Sequence, residues 1–168
     1  MSRRSCYLLV GFTFALHNGE EALTARSLLR FMQSEAPGFL RDFYAGITVF
    51  ELRANLLILT VLGFVVTAVA VRSATTSASA FGMMVFSALL GLNALLHIGL
   101  SIASRSYMPG LVTALLITLP VSALLLLRAR HEAWVSTLAF WAVMPVAALI
   151  HGPVLGTFLR TNLLLMRE

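Results

Sequence analysis

Four long runs without a single charged side chain constrain this chain more than any other feature. No Asp, Glu, Lys or Arg occurs in Leu56–Val71, Phe81–Ser104, Pro109–Leu127 or Ala133–Leu159. A hydrocarbon slab about 30 Å thick takes roughly 20 helical residues to cross. Within it, only structures that satisfy their own backbone groups persist. The stretches from about Gly46 to Val71, Phe81 to Ser104, Pro109 to Leu127 and Ala133 to Leu159 therefore predict helices. A fifth, from about Cys6 to Phe31, precedes them. The expected fold is an all-α polytopic transmembrane bundle of about five helices, a single domain over residues 1–168. Composition agrees: 59% of residues are hydrophobic and 11% charged, against roughly 45–50% and 25% in soluble domains.

The net charge of +5 would suggest nucleic acid in a soluble chain. Here all twelve basic residues are Arg, and they fall between the apolar runs, as helix-end anchors do. Nucleic-acid binding is excluded as a function class on that ground. The lipid bilayer is the expected partner, with a bacterial inner membrane the expected location. Arg26, Arg30, Arg41, Arg53, Arg105, Arg160 and Arg167 gather at one end of the threaded bundle, and Arg3, Arg4, Arg72, Arg128 and Arg130 at the other. The bias turns the first end toward the cytoplasm. The single cysteine, Cys6, leaves no internal disulfide or thiolate cluster. Met-Ser-Arg-Arg before an apolar run resembles a signal peptide, but without a convincing small-x-small cleavage site it reads as a retained first helix. Pro37-Gly38 breaks the chain after that helix. Phe39, Leu40, Phe43 and Tyr44 beside Arg41 and Asp42 then read as an interfacial segment. Gly11, Ala15 and Gly19, like Gly152 and Gly156, form small-residue stripes suited to close helix approach. Pro120 and Pro145 predict kinks, and Pro153 frees the carbonyl of Leu149 near His151.

The polar residues inside these helices are few and placed alike. In His17-Asn18-Gly19-Glu20-Glu21 the imidazole and both carboxylates are spaced i, i+3, i+4 and share one helix face. Adjacent carboxylates repel unless a proton or cation sits between them. Glu51 and Asn55 share a face at the start of the second helix, and Asn93, His97 and Ser101 form a stripe on the third. His151 lies beyond the midpoint of the fifth. Threaded alternately, all of these fall in the same half of the membrane. Imidazole and carboxylate groups gathered in a low-dielectric bundle suit a divalent transition metal, zinc favoured and iron possible. The expected ligands are His17, Glu20, Glu51, His97 and His151, with Glu21 as catalytic base and Asn55, Asn93 and Ser101 orienting the ligands. The competing plain readings are a wet helix end for the Glu pair, an interfacial anchor for Glu51, and a helix cap for His151. His97 bonded to Asn93 alone is another. His131, in an Arg-rich turn, reads as solvated.

At His17-Asn18-Gly19-Glu20-Glu21 the sequence resembles the HXXEE family, small integral membrane proteins with that motif. Asn93-Ala94-Leu95-Leu96-His97 is similar to the family's Asn-x-x-x-His element, and Gly156-Thr157 to a late Gly-Thr pair. The resemblance implies a multi-helix membrane protein with metal-dependent activity. The residues themselves favour a hydrolase-type enzyme acting on a lipid or other apolar substrate. A di-iron oxidoreductase bridged by Glu51 is a second reading, although paired Glu-x-x-His signatures are missing. A metal or proton transporter is a third, although polar groups do not continue through the membrane's depth.

An odd number of spans puts the chain termini on opposite sides. Compartment-sensitive reporters fused to each end are expected to give opposite signals, and like signals would refute the five-helix threading.

Overall fold

The computed structural model describes residues 1–167, and within them every regular element is helical. Helix α1, Arg3–Leu23, opens where the Ser2 hydroxyl accepts the Ser5 N–H at 3.1 Å. It stops sooner than the apolar pattern predicts. The Thr24 backbone turns away from helical geometry while its hydroxyl donates to the Glu20 carbonyl at 2.6 Å. The predicted helix from Cys6 to Phe31 is therefore two elements. The second, α2 (Ala25–Ser34), buries Leu28, Leu29, Phe31 and Met32 and exposes Arg26, Arg30 and Gln33. Pro37 starts the short α3 (Gly38–Tyr44), which has no fully buried residue and leaves Phe39 exposed, as an interfacial segment would.

Helix α4, Val49–Arg72, begins in a capping box: the Thr48 hydroxyl accepts the Glu51 N–H, and the Glu51 carboxylate accepts the Thr48 N–H. Helix α5, Ser77–Ser104, starts earlier than expected because the Thr76 hydroxyl caps it and draws part of the Ser-rich connection into the first turn. Helices α6 (Leu111–His131) and α7 (Thr137–Leu165) complete the chain. The four helices α4 to α7 are long and apolar enough to cross a membrane. The polar second half of α1 distinguishes it from them, although its 21 residues reach a similar length.

Antiparallel pairing of α1 with α4 follows from small residues. Gly11 lies against Thr67 and Gly63 against Phe14, while Asn18 donates to the Thr60 hydroxyl and Leu56 carbonyl at 2.9 and 3.3 Å. Further along, Arg53 Nε donates to the Ala22 carbonyl at 3.0 Å. Helix α5 is the hub, in contact with α1, α4, α6 and α7. In its most apolar window 56% of residues are buried inside the protein, against 28% or less in the other three spans. The remaining faces of those spans are apolar and exposed.

The interior holds two apolar clusters. Tyr7, Val10, Met83, Met84, Leu125 and Trp134 anchor one near the start of α1. Leu28, Phe31, Met32, Leu52, Leu100 and Met108 anchor the other, beneath α2. His17, Glu21, Asn93 and His97 come from helix positions between the two. Wide π-helical turns interrupt α6 at Ala114–Thr118 and α7 at Ile150–Val154. Pro120 follows the first and Pro153 lies in the second, each removing one backbone donor.

The glycines sort by what surrounds them. A Cβ on Gly63 would lie 2.4 Å from Phe14 Cδ1, and one on Gly11 would lie 2.6 Å from Thr67 Oγ1. Gly19 and Gly152, from the predicted close-packing stripes, meet nothing within 4 Å, and neither does Gly82. Gly63→Ala is expected to destabilise the bundle by about 1–3 kcal/mol through overpacking. Gly82→Ala is expected to be neutral or to stabilise by up to about 1 kcal/mol through helix propensity. Thermal unfolding of the two variants in detergent checks the contrast.

Candidate metal centre

The second half of α1 presents the HXXEE residues to α5 and α6. His17 is fully buried. Its Nδ1 lies 2.7 Å from the Thr113 hydroxyl, which in turn is 3.3 Å from the Gly110 carbonyl. With the hydroxyl donating to that carbonyl, the imidazole donates from Nδ1, and its Nε2 is left with a free lone pair. That lone pair faces the Asn93 side-chain amide at 2.7 Å. His97 comes from the last third of α5, its ring edge-to-face with that of His17 at a centroid distance of 4.9 Å. Glu21 reaches both rings, with its Oε1 2.9 Å from His97 Nε2 and 3.7 Å from His17 Nε2.

Ligand atoms of His17, Glu21 and His97 all lie within 4.8 Å of one another, and all three residues are buried, so this group could hold a metal ion. Two imidazoles and one carboxylate form a donor set that borderline divalent metals accept, with a coordination position to spare. His97 Nδ1 is buried without a hydrogen-bond partner among the described residues. Gly110 explains the close fit on that side. Its φ of +92° suits glycine, and a Cβ there would lie 2.5 Å from His97 Cε1 and 2.8 Å from Nδ1.

The structure gives the two glutamates different neighbours from those expected. Glu20, expected among the ligands, turns to the start of α6. It accepts the Thr113 N–H at 2.9 Å, the Gly110 N–H at 3.2 Å and the Tyr107 hydroxyl at 3.0 Å. A carboxylate at a helix N-terminus is stabilised by the unsatisfied N–H groups and the helix dipole. Burial and the bond to Glu20 hold the Tyr107 phenol above its usual pKa, so it remains a donor. Glu21, expected as a base beside the ion, is instead the carboxylate between the imidazoles.

The other expected residues divide. Asn93 touches His17 and, at a long 3.5 Å, His151 Nε2, which places half-buried His151 at the edge of the cluster. Glu51 points elsewhere: it closes its capping box and pairs with Arg167 Nε at 2.7 Å. Asn55 bonds the Glu51 carbonyl and Asn162, and the Ser101 hydroxyl accepts the Met108 N–H at 3.1 Å. Neither bonds to His17, Glu21 or His97 among the described residues. His131 is exposed. Thr113 and Gly110 carried little sequence signal, because the fourth apolar run holds no ionisable residue and so looked like scaffold; the one available signal was Pro109-Gly110 directly before that run.

A family model described as a protein of unknown function with HXXEE motif matches residues 8–125, which include His17, Glu20, Glu21, Asn93, His97 and Thr113. His151 and Gly156-Thr157 lie beyond the matched segment. No curated protein and no solved structure matches the chain. With well over half its length matched and the motif at the centre of the buried His–Glu–His group, the chain belongs to the family of proteins of unknown function with HXXEE motif.

Proposed function

We propose that this protein is a metal-dependent integral membrane enzyme of hydrolase type, acting on a lipid or other apolar substrate. In this reading one divalent ion, zinc in preference to iron, is held by His17, Glu21 and His97. The observation that carries it is the convergence of those three buried groups within 4.8 Å between two apolar clusters. Ionisable groups at such depth are costly and mark function more often than packing. A bound divalent ion would supply Lewis-acid polarisation of a carbonyl or phosphoryl oxygen.

The protein's own residues would do the rest. Thr113 holds the His17 tautomer that leaves Nε2 available, and Glu20 holds Thr113 in turn. The Asn93 amide, which now faces the Nε2 lone pair, would yield it to the ion, and half-buried His151 on the π turn of α7 would serve as proton acceptor. Apolar walls exclude bulk water. Glu51 is committed to Thr48 and Arg167, which removes the bridging carboxylate that a second ion would need and favours one ion over two. The proposed location is a bacterial inner membrane, with the centre toward the cytoplasmic side.

Elemental analysis of purified protein is expected to find about one equivalent of zinc. Glu21→Gln, His17→Gln and His97→Gln should each lower retained metal tenfold or more, an effect on the scale of losing a ligand or its immediate support. His131→Gln and Glu51→Gln should leave it unchanged. Equal metal content across all five variants would overturn the reading, and stoichiometric iron would shift it to an oxidoreductase.

Glu20→Gln separates the two glutamates. It should retain metal within a few-fold yet lower stability by about 1–2 kcal/mol, the scale of a charge lost from a helix N-terminus. Thermal unfolding and metal content measured on the same preparation check both halves.

A further inference from the structure

Between the end of α5 and the start of α6 runs an open groove on the outer face of the bundle. Its walls are Ile98, Ile102, Leu111 and Leu115, and its polar residues collect at one end, where Arg105 and Tyr107 close it. Ile102, Tyr107 and Leu115 are exposed, facing the surroundings rather than another helix. The polar end adjoins the metal centre: Tyr107 donates to Glu20, which also binds the Gly110 N–H, and Gly110 packs on His97.

Arg105 is the unusual member. It caps α5 in the left-handed conformation, φ +53°, which a non-glycine residue adopts at a cost. Like most of the arginines, it makes no ion pair among the described residues, and its place on the lining of an apolar groove is what sets it apart. An unpaired cation at the end of an apolar trough complements an amphiphile with a negative head and a long tail. A packing helix would meet the cation with nothing to neutralise it.

We propose that this groove binds an anionic phospholipid, its phosphate on Arg105 and one acyl chain along Ile98, Ile102, Leu111 and Leu115. The headgroup linkage then lies on the Tyr107 side, next to the segment that carries Gly110 and Thr113. The proposal names the substrate class of the centre described above and rests on that reading for its catalytic meaning. Binding itself is measurable without turnover or metal.

The test uses full-length protein in phosphatidylcholine nanodiscs containing a minority of phosphatidylglycerol, with Leu115→Trp as reporter and bromine on the acyl chains of one lipid at a time. Unsubstituted protein supplies the background from Trp134 and Trp141. Brominated phosphatidylglycerol should be preferred over brominated phosphatidylcholine about fivefold, the effect of one well-placed basic group at an anionic surface. Arg105→Gln should bring the ratio to about one, and Arg26→Gln should leave it unchanged. Arg105→Gly relieves the backbone strain, so it should fold at least as well while losing the preference. Native mass spectrometry of co-purified lipid gives the same comparison without the reporter. Equal quenching by the two lipids, or a preference indifferent to Arg105, would overturn the proposal. A preference that survives in metal-depleted Glu21→Gln would uphold the lipid site while the metal reading stood or fell separately.

Discussion

A carboxylate buried between two imidazoles is the constraint on which the rest of this structure depends. A carboxyl group at that depth needs a hydrogen-bond donor or a cation beside it, and the nearest nitrogen the fold supplies to Glu21 is His97 Nε2 at 2.9 Å, with His17 Nε2 farther off at 3.7 Å. Removing one partner from such a group leaves a buried charge exposed to a low dielectric, which costs far more than the pair contributes. The contact therefore ties α1 to α5, while Gly11 against Thr67 and Gly63 against Phe14 bring α1 close to α4.

The adjacent glutamate acts on the same layer from outside it. Glu20 gathers two backbone N–H groups at the head of α6 and the Tyr107 hydroxyl, so the loop after α5 folds back over the imidazoles. Neighbouring residues on one helix thus face two different problems. One sits between two buried rings and the other stitches a helix start to α1. The His-x-x-Glu-Glu spacing serves both because i+3 and i+4 flank the histidine on either side of its face.

Much of this was legible in the sequence. Uncharged runs of helical length pointed to the four long apolar helices, since a helix satisfies its own backbone groups. Alternate threading gave the common depth of His17, Asn93, His97 and His151. The break at Thr24 was not legible, because Ala25, Leu28 and Phe31 continue an acceptable apolar pattern while turning to a different surface. The division of labour between Glu20 and Glu21 was equally hidden, for it depends on where α6 begins. Glu51 looked like a ligand by depth alone. Its real neighbours, Thr48 and Arg167, are one local and one at the far end of the chain, and only the local one leaves a sequence signature.

Asn93 holds one further consequence. Its amide nitrogen occupies the lone pair of His17 Nε2, and its amide oxygen faces His151 across the wide turn of α7. A single lone pair serves one acceptor at a time. Whatever engages His17 at Nε2 must evict the amide, and the evicted side chain has its next nearest contact on α7. The centre and the most loosely packed helix are therefore in competition for one small side chain, which makes the asparagine a reporter: an amide resonance that tells, without any assay of turnover, whether the imidazole is taken.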